Sequence, residues 1–182
     1  MMKSNSVVGM RPEPREYASY YERYVSSVVD DDILVALEKQ LSETIALLSS
    51  RSEADGDFRY APKKWSVKEV VGHLSDSERI FAYRALRLSR NDKTPIEGFE
   101  QDDYVRFGDF GQHRLADIVE EFISVRKATL SLFHNLDESA WTRRGLANDT
   151  EVSVRALAYI VAGHELHHRA ILKSKYLSAA PR

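Results

Sequence analysis

Apolar residues recur at helical spacing along four stretches of the chain, and none of these stretches contains an internal proline. An amphipathic helix shows such a stripe where it faces the core, so each stretch predicts one core-facing helix. No stretch alternates apolar and polar residues for long enough to predict a strand. The pattern therefore predicts an all-α fold, a four-helix bundle. The predicted helices run from about Asp31 to Ser50, from about Val67 to Ser89, from about Leu115 to Leu136, and from just after Ser153 to about Tyr176.

Polar residues mark where these helices begin. The acidic run at Asp30, Asp31 and Asp32 favours the first N-terminus, because negative charge is stabilised at that end of the helix dipole. Ser66 and Glu69 form a Ser-x-x-Glu capping box at the start of the second helix. All five prolines lie outside the four stretches, as helix geometry requires.

The connection between the second and third predicted helices is unusually long, about 24 residues from Arg90 to His113. This length predicts a crossover of the bundle instead of a tight antiparallel turn. Connections of this kind often cover a site. The run from Glu100 to Tyr104 is therefore a candidate substrate contact, with a solvated acidic loop as the alternative.

The chain is predicted to divide into an N-terminal helical extension, residues 1–30, and a bundle domain, residues 31–178. Tyr17, Tyr20, Tyr21 and Tyr24 lie at helical spacing within the extension. An aromatic stripe of this kind is typical of a segment that packs against a domain surface. The alternative is that some of these rings line the mouth of a pocket.

Three histidines on two helices are the strongest chemical signal. His164 and His168 are four residues apart, which places them about 40° apart around the helix and about 6 Å apart along it. Both complete the apolar stripe of the fourth helix, and His73 lies on the corresponding stripe of the second. All three side chains are therefore expected to point inward.

One shared cation would explain why these histidines face the core. A single inward histidine is more often a hydrogen-bonded core residue, but a cation satisfies several buried imidazoles at once. A tightly held metal needs at least three ligands, and His73 supplies the third. Gly72 and Gly163 directly precede His73 and His164. Glycine inside a helix costs about 1 kcal/mol relative to alanine, so each predicts the close approach of a neighbouring helix or ligand.

The composition excludes several classes of chemistry. The chain has no cysteine, so thiolate ligation, redox switching and a cysteine nucleophile are excluded. Its 26 basic and 28 acidic residues give a net charge of −2, which offers no attraction for nucleic acid or anionic lipid. No apolar run approaches the roughly 18 residues of a membrane span, and the N-terminus has no signal-peptide pattern. We therefore expect a soluble, cytoplasmic protein that does not bind membranes.

The fourth helix also matches parts of two other metal motifs. The segment from His164 to His168 fits H-E-x-x-H, the zincin peptidase pattern in which the glutamate activates water. Zincins usually take a third ligand downstream, and no His, Asp or Glu follows His168. Glu165 and His168 fit the E-x-x-H element of di-iron bundles, but the six histidines provide no second copy. Neither class is favoured.

Other titratable groups surround the predicted site. Glu165 is the nearest candidate catalytic base, although its offset of about 100° from His164 also fits a buried packing partner. His167 has the same offset from His168 and is expected outside the metal site. The remaining candidates lie near helix ends. Surface or capping roles are expected for His113 and His134. The arginines near the end of the second helix favour its C-terminal dipole, with anion recognition as the alternative: Arg84, Arg87 and Arg90.

Two segments together resemble one known family. The first is KWSVKEV at residues 64–70 followed by GHLSDSER at residues 72–79, and the second is GHELHHR at residues 163–169. In their order and separation they resemble the DinB/YfiT-like metalloenzymes. The resemblance covers about Asp32 to Tyr176, nearly the whole predicted bundle.

The resemblance implies an up-down-down-up bundle, frequently a homodimer, in which His73, His164 and His168 hold one divalent metal ion. The metal in the family is usually zinc or nickel, with iron or manganese as alternatives. Some relatives are thiol transferases that conjugate a low-molecular-weight thiol, such as bacillithiol or mycothiol, to an electrophile, and others are described as hydrolases. The YfiT-like branch often has a further histidine three residues after the last ligand, where this chain has Ile171.

We therefore predict a metal-dependent enzyme that activates a small thiol or water and acts on a small-molecule substrate. Any thiol must come from a cosubstrate, because the chain has no cysteine. The alternative is a non-enzymatic dimerisation or stress-response module in which the cation only stabilises the bundle. Structural metal sites are usually closed by four protein ligands, and the sequence offers three, which favours an enzyme.

Overall fold

The described part of the chain is a helical bundle, as predicted. A computed structural model describes residues 10–30 and 32–177. Two four-residue strands, β1 (Arg144–Ala147) and β2 (Thr150–Ser153), form an antiparallel hairpin. Within these residues, no helix combines the length and the hydropathy needed to cross a lipid bilayer. The helices are α1 (Glu22–Val25), α2 (Ile33–Leu48), α3 (Glu53–Asp57), α4 (Val67–Ser89), α5 (Gln101–Phe107), α6 (Leu115–His134) and α7 (Val154–Ile171).

Two pairs of parallel helices make up the bundle. The starts of α4 and α6 share one apolar cluster, and Glu78 in the middle of α4 pairs with Arg126 in the middle of α6. These two helices therefore run in the same direction. The starts of α2 and α7 share the other apolar cluster, whereas their far ends, at Leu48 and Leu172, join the cluster that holds the starts of α4 and α6. The topology is up-down-down-up, as the resemblance implies.

The predicted helix starts are present, and the predicted ends differ by a few residues. Asp32 accepts hydrogen bonds from the first-turn amides of α2, and Ser66 and Glu69 form the capping box of α4. Ser153 caps α7 by accepting from the Ala156 amide at 3.0 Å. The predicted first residue of α2, Asp31, lies outside the described residues. The α-helical part of α7 ends at Ile171, and one π-helical turn, Leu172–Tyr176, continues to the predicted limit.

The hairpin between α6 and α7 is an element that the sequence pattern did not predict. Each strand is only four residues long, too short for a recognisable alternation. The two turn residues, Asn148 and Asp149, have φ values of 52° and 58°. Asn and Asp tolerate this left-handed conformation better than most residues, and it suits a two-residue hairpin. Ile96 of the crossover pairs with Ala147, so part of the hairpin's support comes from a distant segment.

The crossover joins the parallel helices α4 and α6, and it is more ordered than its sequence suggests. It contains α5 and a 3₁₀ turn, Phe110–Gln112. The predicted acidic run, Glu100 to Tyr104, forms the start of α5, and all five residues are exposed. Val105 and Phe110 are buried, so apolar side chains anchor the crossover against the bundle.

The N-terminal segment packs on α7 and the hairpin. It consists of two 3₁₀ turns, Pro14–Glu16 and Ser19–Tyr21, followed by α1. Glu16 is buried, which by itself would raise its pKa, but hydrogen bonds from Arg155 and Ser153 outweigh burial and lower the pKa to about 2. Residues 1–9, 31 and 178–182 lie outside the described residues. The predicted domain limits at 31 and 178 therefore stay predictions.

Candidate metal centre

The three predicted histidines meet at one place between α4 and α7. One ring nitrogen from each of His73, His164 and His168 lies within 4.8 Å of the others. His73 and His164 are buried, with their Nε2 atoms 3.1 Å apart, whereas His168 is half-buried. The antiparallel packing of α4 on α7 brings the residues together across 91 positions of sequence. Among the described residues, this is the one group of three or more potential metal ligands whose donor atoms converge.

The donor set fits a divalent cation. Two imidazole nitrogens bound to one tetrahedral ion at 2.0–2.1 Å would lie about 3.3 Å apart, close to the observed Nε2 separation. Burial lowers the pKa of His73 to about 4, and burial with the neighbouring histidines lowers the pKa of His168 to about 3. The same causes place the pKa of His164 well below its ordinary value. All three rings are therefore neutral near pH 7, which is the form that ligates metal.

Aromatic rings hold the histidines in place. The Trp65 indole lies 4.8 Å from the His73 ring, centroid to centroid, and stacks on His168 at 6.5 Å. Tyr24 meets His164 edge-on at 5.4 Å. These contacts restrict ring rotation and exclude water from one side of each imidazole. Trp65 and Tyr24 therefore belong to the site, although neither offers a strong metal ligand.

The two glycines beside the ligands allow close packing, as predicted. A Cβ atom at Gly163 would lie 2.1 Å from the backbone oxygen of Tyr24, so α7 touches the main chain of the N-terminal segment. A Cβ atom at Gly72 would lie 2.3 Å from the ring of Phe110, a residue of the crossover. In both cases the close neighbour is protein. The glycines thus bring two peripheral segments against the helices that carry the histidines.

Replacing Gly163 with alanine should destabilise the protein even though alanine favours helix. The gain in helix propensity is about 1 kcal/mol, but the new methyl group meets a backbone atom that moves only with its segment. We expect a net loss of about 1–3 kcal/mol, the range for overpacked sites, measured by urea unfolding. Gly111→Ala is the matched control, because a Cβ at Gly111 would have no neighbour within 4 Å. Equal stability of Gly163→Ala and wild type would contradict the prediction.

Glu165, the tentative catalytic base, faces a different set of residues from the histidines. Its carboxylate is 1 % exposed and accepts a hydrogen bond from Thr44 of α2. Its other oxygen lies 2.7 Å from Nη1 of Arg126, an ion pair without good hydrogen-bond alignment. Glu165 is not among the donors that converge with the histidines. This position is that of a buried packing partner, and a catalytic role stays a prediction.

Arg126 is the centre of a buried ion network that joins all four long helices. Its guanidinium is fully buried and donates two hydrogen bonds of 2.8 Å to the carboxylate of Glu78. It also donates to the backbone oxygen of Leu37 at 3.2 Å. Burial opposes its charge, but the carboxylates of Glu78 and Glu165 outweigh burial and raise its pKa. Glu165, the residue that follows His164, is part of this network. The network therefore fixes α7 against α2, α4 and α6.

The other predicted histidines and the other arginines lie outside the cluster. His167 and His113 are exposed, and His134, also exposed, contacts Glu38 at 3.0 Å. Arg87 pairs with Asp92 at 2.7 Å. Arg84 is different, because it is buried and lines a pocket that reaches His164.

Two pockets approach the histidines from different sides. One, of about 240 Å³, contains His164 in its wall, together with Ser77, Arg84 and tyrosines of the N-terminal segment. The other, of about 340 Å³, contains His168 in its wall, together with Trp65 and Asp102. Tyr20, Tyr21 and Tyr24 all line the first pocket, so part of the predicted tyrosine stripe does form a pocket mouth. Glu100 and Gln101 of the crossover line the same pocket.

Sequence reasoning missed the residues that surround the ligands. Trp65 belongs to the KWSVKEV segment, but nothing in that segment indicates that its ring stacks on histidines. Arg126 carried a usable signal, because it follows Phe122 by four positions and precedes Thr129 by three, on the inward side of α6. A charge at mid-helix on a core-facing stripe predicts a buried ion partner.

The fold is a helical bundle built from two pairs of parallel helices, and three histidines converge between its second and fourth long helices. These features define the class of protein, a helical bundle with a candidate cation site. The sequence profile of the DinB superfamily matches residues 36–172. The chain therefore belongs to the DinB superfamily. Comparison with curated protein sequences finds no match.

Among solved structures, the chain is similar to YfiT from Bacillus subtilis. The TM-score is 0.74 at 16 % sequence identity, over 92 % of this chain and 93 % of that one. That protein is described as a probable metal-dependent hydrolase with an unusual four-helix bundle topology. At this identity the similarity establishes the shared fold.

Proposed function

We propose that this protein is a metal-dependent enzyme in which His73, His164 and His168 hold one divalent cation that activates a small nucleophile. The observation that carries the proposal is the convergence of three neutral, largely buried imidazoles. When bound, the cation would act as a Lewis acid that lowers the pKa of a thiol or water. Three protein ligands leave room for an exogenous one, which is typical of catalytic sites.

The cation is proposed to be zinc or nickel, with iron or manganese as alternatives. The three donors are imidazole nitrogens, which suit zinc, nickel, copper and iron better than magnesium or calcium. No carboxylate contributes to the cluster within the described residues, which makes manganese the weakest of the candidates. Metal analysis of protein purified without a nickel column identifies the native ion.

The nucleophile is proposed to be a low-molecular-weight thiol, with water as the second candidate. Two pockets that reach different histidines favour two substrates, a thiol on one side and an electrophile on the other. The chain has no cysteine, so a thiol must be a cosubstrate. Water is favoured by the description of YfiT as a probable metal-dependent hydrolase. Thiol conjugation and ester hydrolysis, assayed side by side on the metal-loaded protein, distinguish the two.

Removing the cation should abolish activity and leave the helices folded. Two apolar clusters run through the bundle, one on each side of the site, so burial of apolar surface holds the helices together without the ion. We expect circular dichroism to be nearly unchanged after chelation, while thiol transfer or hydrolysis falls to background and returns on adding metal.

The non-enzymatic alternative predicts a different result from the same experiment. If the cation only stabilises the bundle or a homodimer, chelation should reduce helicity or halve the mass measured by light scattering. No small thiol should then alter the spectrum of the cobalt-substituted protein. That combination would replace the enzyme proposal with a structural one.

A further inference from the structure

Arg84 is a buried cation whose charge has no partner among the described residues. It is 3 % exposed, and within residues 10–30 and 32–177 no carboxylate lies within 4 Å of its guanidinium. The other buried arginines, Arg126 and Arg169, each have carboxylate partners. A buried charge without a counter-ion is strongly destabilising. The charge of Arg84 is therefore left without a counter-ion among the described residues.

The guanidinium of Arg84 is available to a ligand. In the described structure it makes one hydrogen bond, from Nη2 to the backbone oxygen of Glu97 at 3.0 Å. Its Nε is buried without any hydrogen-bond partner. Its carbon Cζ lies 5.8 Å from the centre of the Phe81 ring, which supports one face of the group.

One pocket connects this cation to the candidate metal centre. Arg84 and His164 line the same pocket of about 240 Å³, with Ser77 and Phe81 also in its wall. Among the described lining residues, Glu100 is the one acid, and it is exposed to solvent. Arg84 follows His73 by 11 positions on α4, about 16 Å along the axis, and helical side chains lean back toward the N-terminus.

We propose that Arg84 binds a carboxylate of the substrate, several bonds away from the atom that reacts at the metal centre. This inference rests on the proposed function of the histidine site and names the class of its substrate. One guanidinium matches the single negative charge of a carboxylate and its two oxygens, whereas a phosphate dianion would leave charge uncompensated. The tyrosines at the pocket mouth then contact the spacer between the carboxylate and the reacting atom.

Matched thiols of different charge test the proposal. The cobalt-substituted protein is titrated with 3-mercaptopropionate and 3-mercaptopropanol, and with 6-mercaptohexanoate and 6-mercaptohexanol, while thiolate coordination is followed by absorption. At one of the two spacer lengths we expect the carboxylate to bind about tenfold more tightly than the alcohol, as for a charge-assisted hydrogen-bonded pair. Equal affinities at both lengths would overturn the proposal.

Variants at position 84 distinguish a carboxylate bound by Arg84 from a carboxylate bound directly by the metal ion. Arg84→Met should bring the ratio of carboxylate to alcohol affinity to about one. Arg84→Lys should retain part of the preference, because lysine keeps the charge but lacks the planar guanidinium that donates two parallel hydrogen bonds. Arg87→Met is the control, since Arg87 is paired with Asp92 and does not line the pocket, and it should keep the wild-type ratio. A carboxylate preference that survives in a folded Arg84→Met protein would also overturn the proposal.

Two further outcomes are distinguishable. If no thiol alters the cobalt spectrum, the proposed thiol activation is wrong. Calorimetry of the zinc-loaded protein with hexanoate and 1-hexanol then tests the role of Arg84 separately. Binding of hexanoate that requires Arg84 supports the inference, and no difference between wild type and Arg84→Met rejects it. Displacement of 6-mercaptohexanoate by millimolar inorganic phosphate, in wild type and not in Arg84→Met, would replace the carboxylate with a phosphate.

Discussion

Replacing His73, His164 or His168 with alanine should each remove most of the bound metal. Each change leaves two imidazoles, and two neutral ligands do not hold a divalent ion tightly. Loss of groups that merely orient metal ligands already weakens binding by about 10–100-fold, so we expect loss of a ligand to weaken it by at least about 100-fold. Metal content after dialysis against a competing chelator measures the effect.

His167→Ala is the matched control for this series. His167 is adjacent in sequence to His168 and is exposed, and it does not belong to the converging group. It should keep a full equivalent of metal. If the three ligand variants also kept full metal while circular dichroism showed native helicity, the histidine site would be wrong.

The sequence predicted the helices well because their determinants are local. An inward stripe, a capping serine and an excluded proline each depend on residues within a few positions of one another. Ser66 and Glu69 predict the start of α4 at Val67, and the structure contains both capping hydrogen bonds. The hairpin was missed because part of its support comes from Ile96, which is about 50 residues away in the chain and invisible to a local pattern.

The candidate site was predictable where its geometry follows from helix periodicity. The spacing of His164 and His168, and the inward side of His73, follow from that periodicity. The environment of these rings depends on tertiary contacts between distant parts of the chain. Gly163 predicted a close neighbour, but only the fold shows that this neighbour is the backbone of Tyr24. Glu165 could be placed away from the histidines by its 100° offset, whereas its partner Arg126 lies on a different helix.

The burial of Arg126 and Glu165 separates two jobs within α7. One side of the helix presents His164 and His168 to the candidate cation. Glu165, which follows His164, holds the helix to α2 and α6. A residue committed to both a hydrogen bond and a buried ion pair is poorly placed to exchange protons with a substrate. The structure therefore favours a fold-stabilising role for Glu165, and stability measurements test that role without a known substrate.

Replacing Arg126 with methionine should destabilise the protein more than Gly163→Ala does. Methionine fills much of the space, but it leaves the Glu78 carboxylate buried without a cation and leaves Glu165 with Arg169 alone, 3.8 Å away. Removing one partner of a buried ion pair costs about 3–5 kcal/mol. For a chain of this size, about 2–4 °C per kcal/mol gives a fall in Tm of roughly 6–20 °C. Urea unfolding with an unchanged m value gives the free energy of unfolding directly.

Arg79→Met is the matched control, because Arg79 of α4 also pairs with a glutamate of α6, Glu121, at 2.7 Å, but at the surface. Exposed pairs contribute about 0–1 kcal/mol, so this variant should unfold close to wild type. Adding Glu78→Gln to Arg126→Met removes the carboxylate that is left without a cation and should recover part of the lost stability. If the double variant stays as unstable as Arg126→Met, lost packing of the arginine side chain, and not its charge, explains the effect.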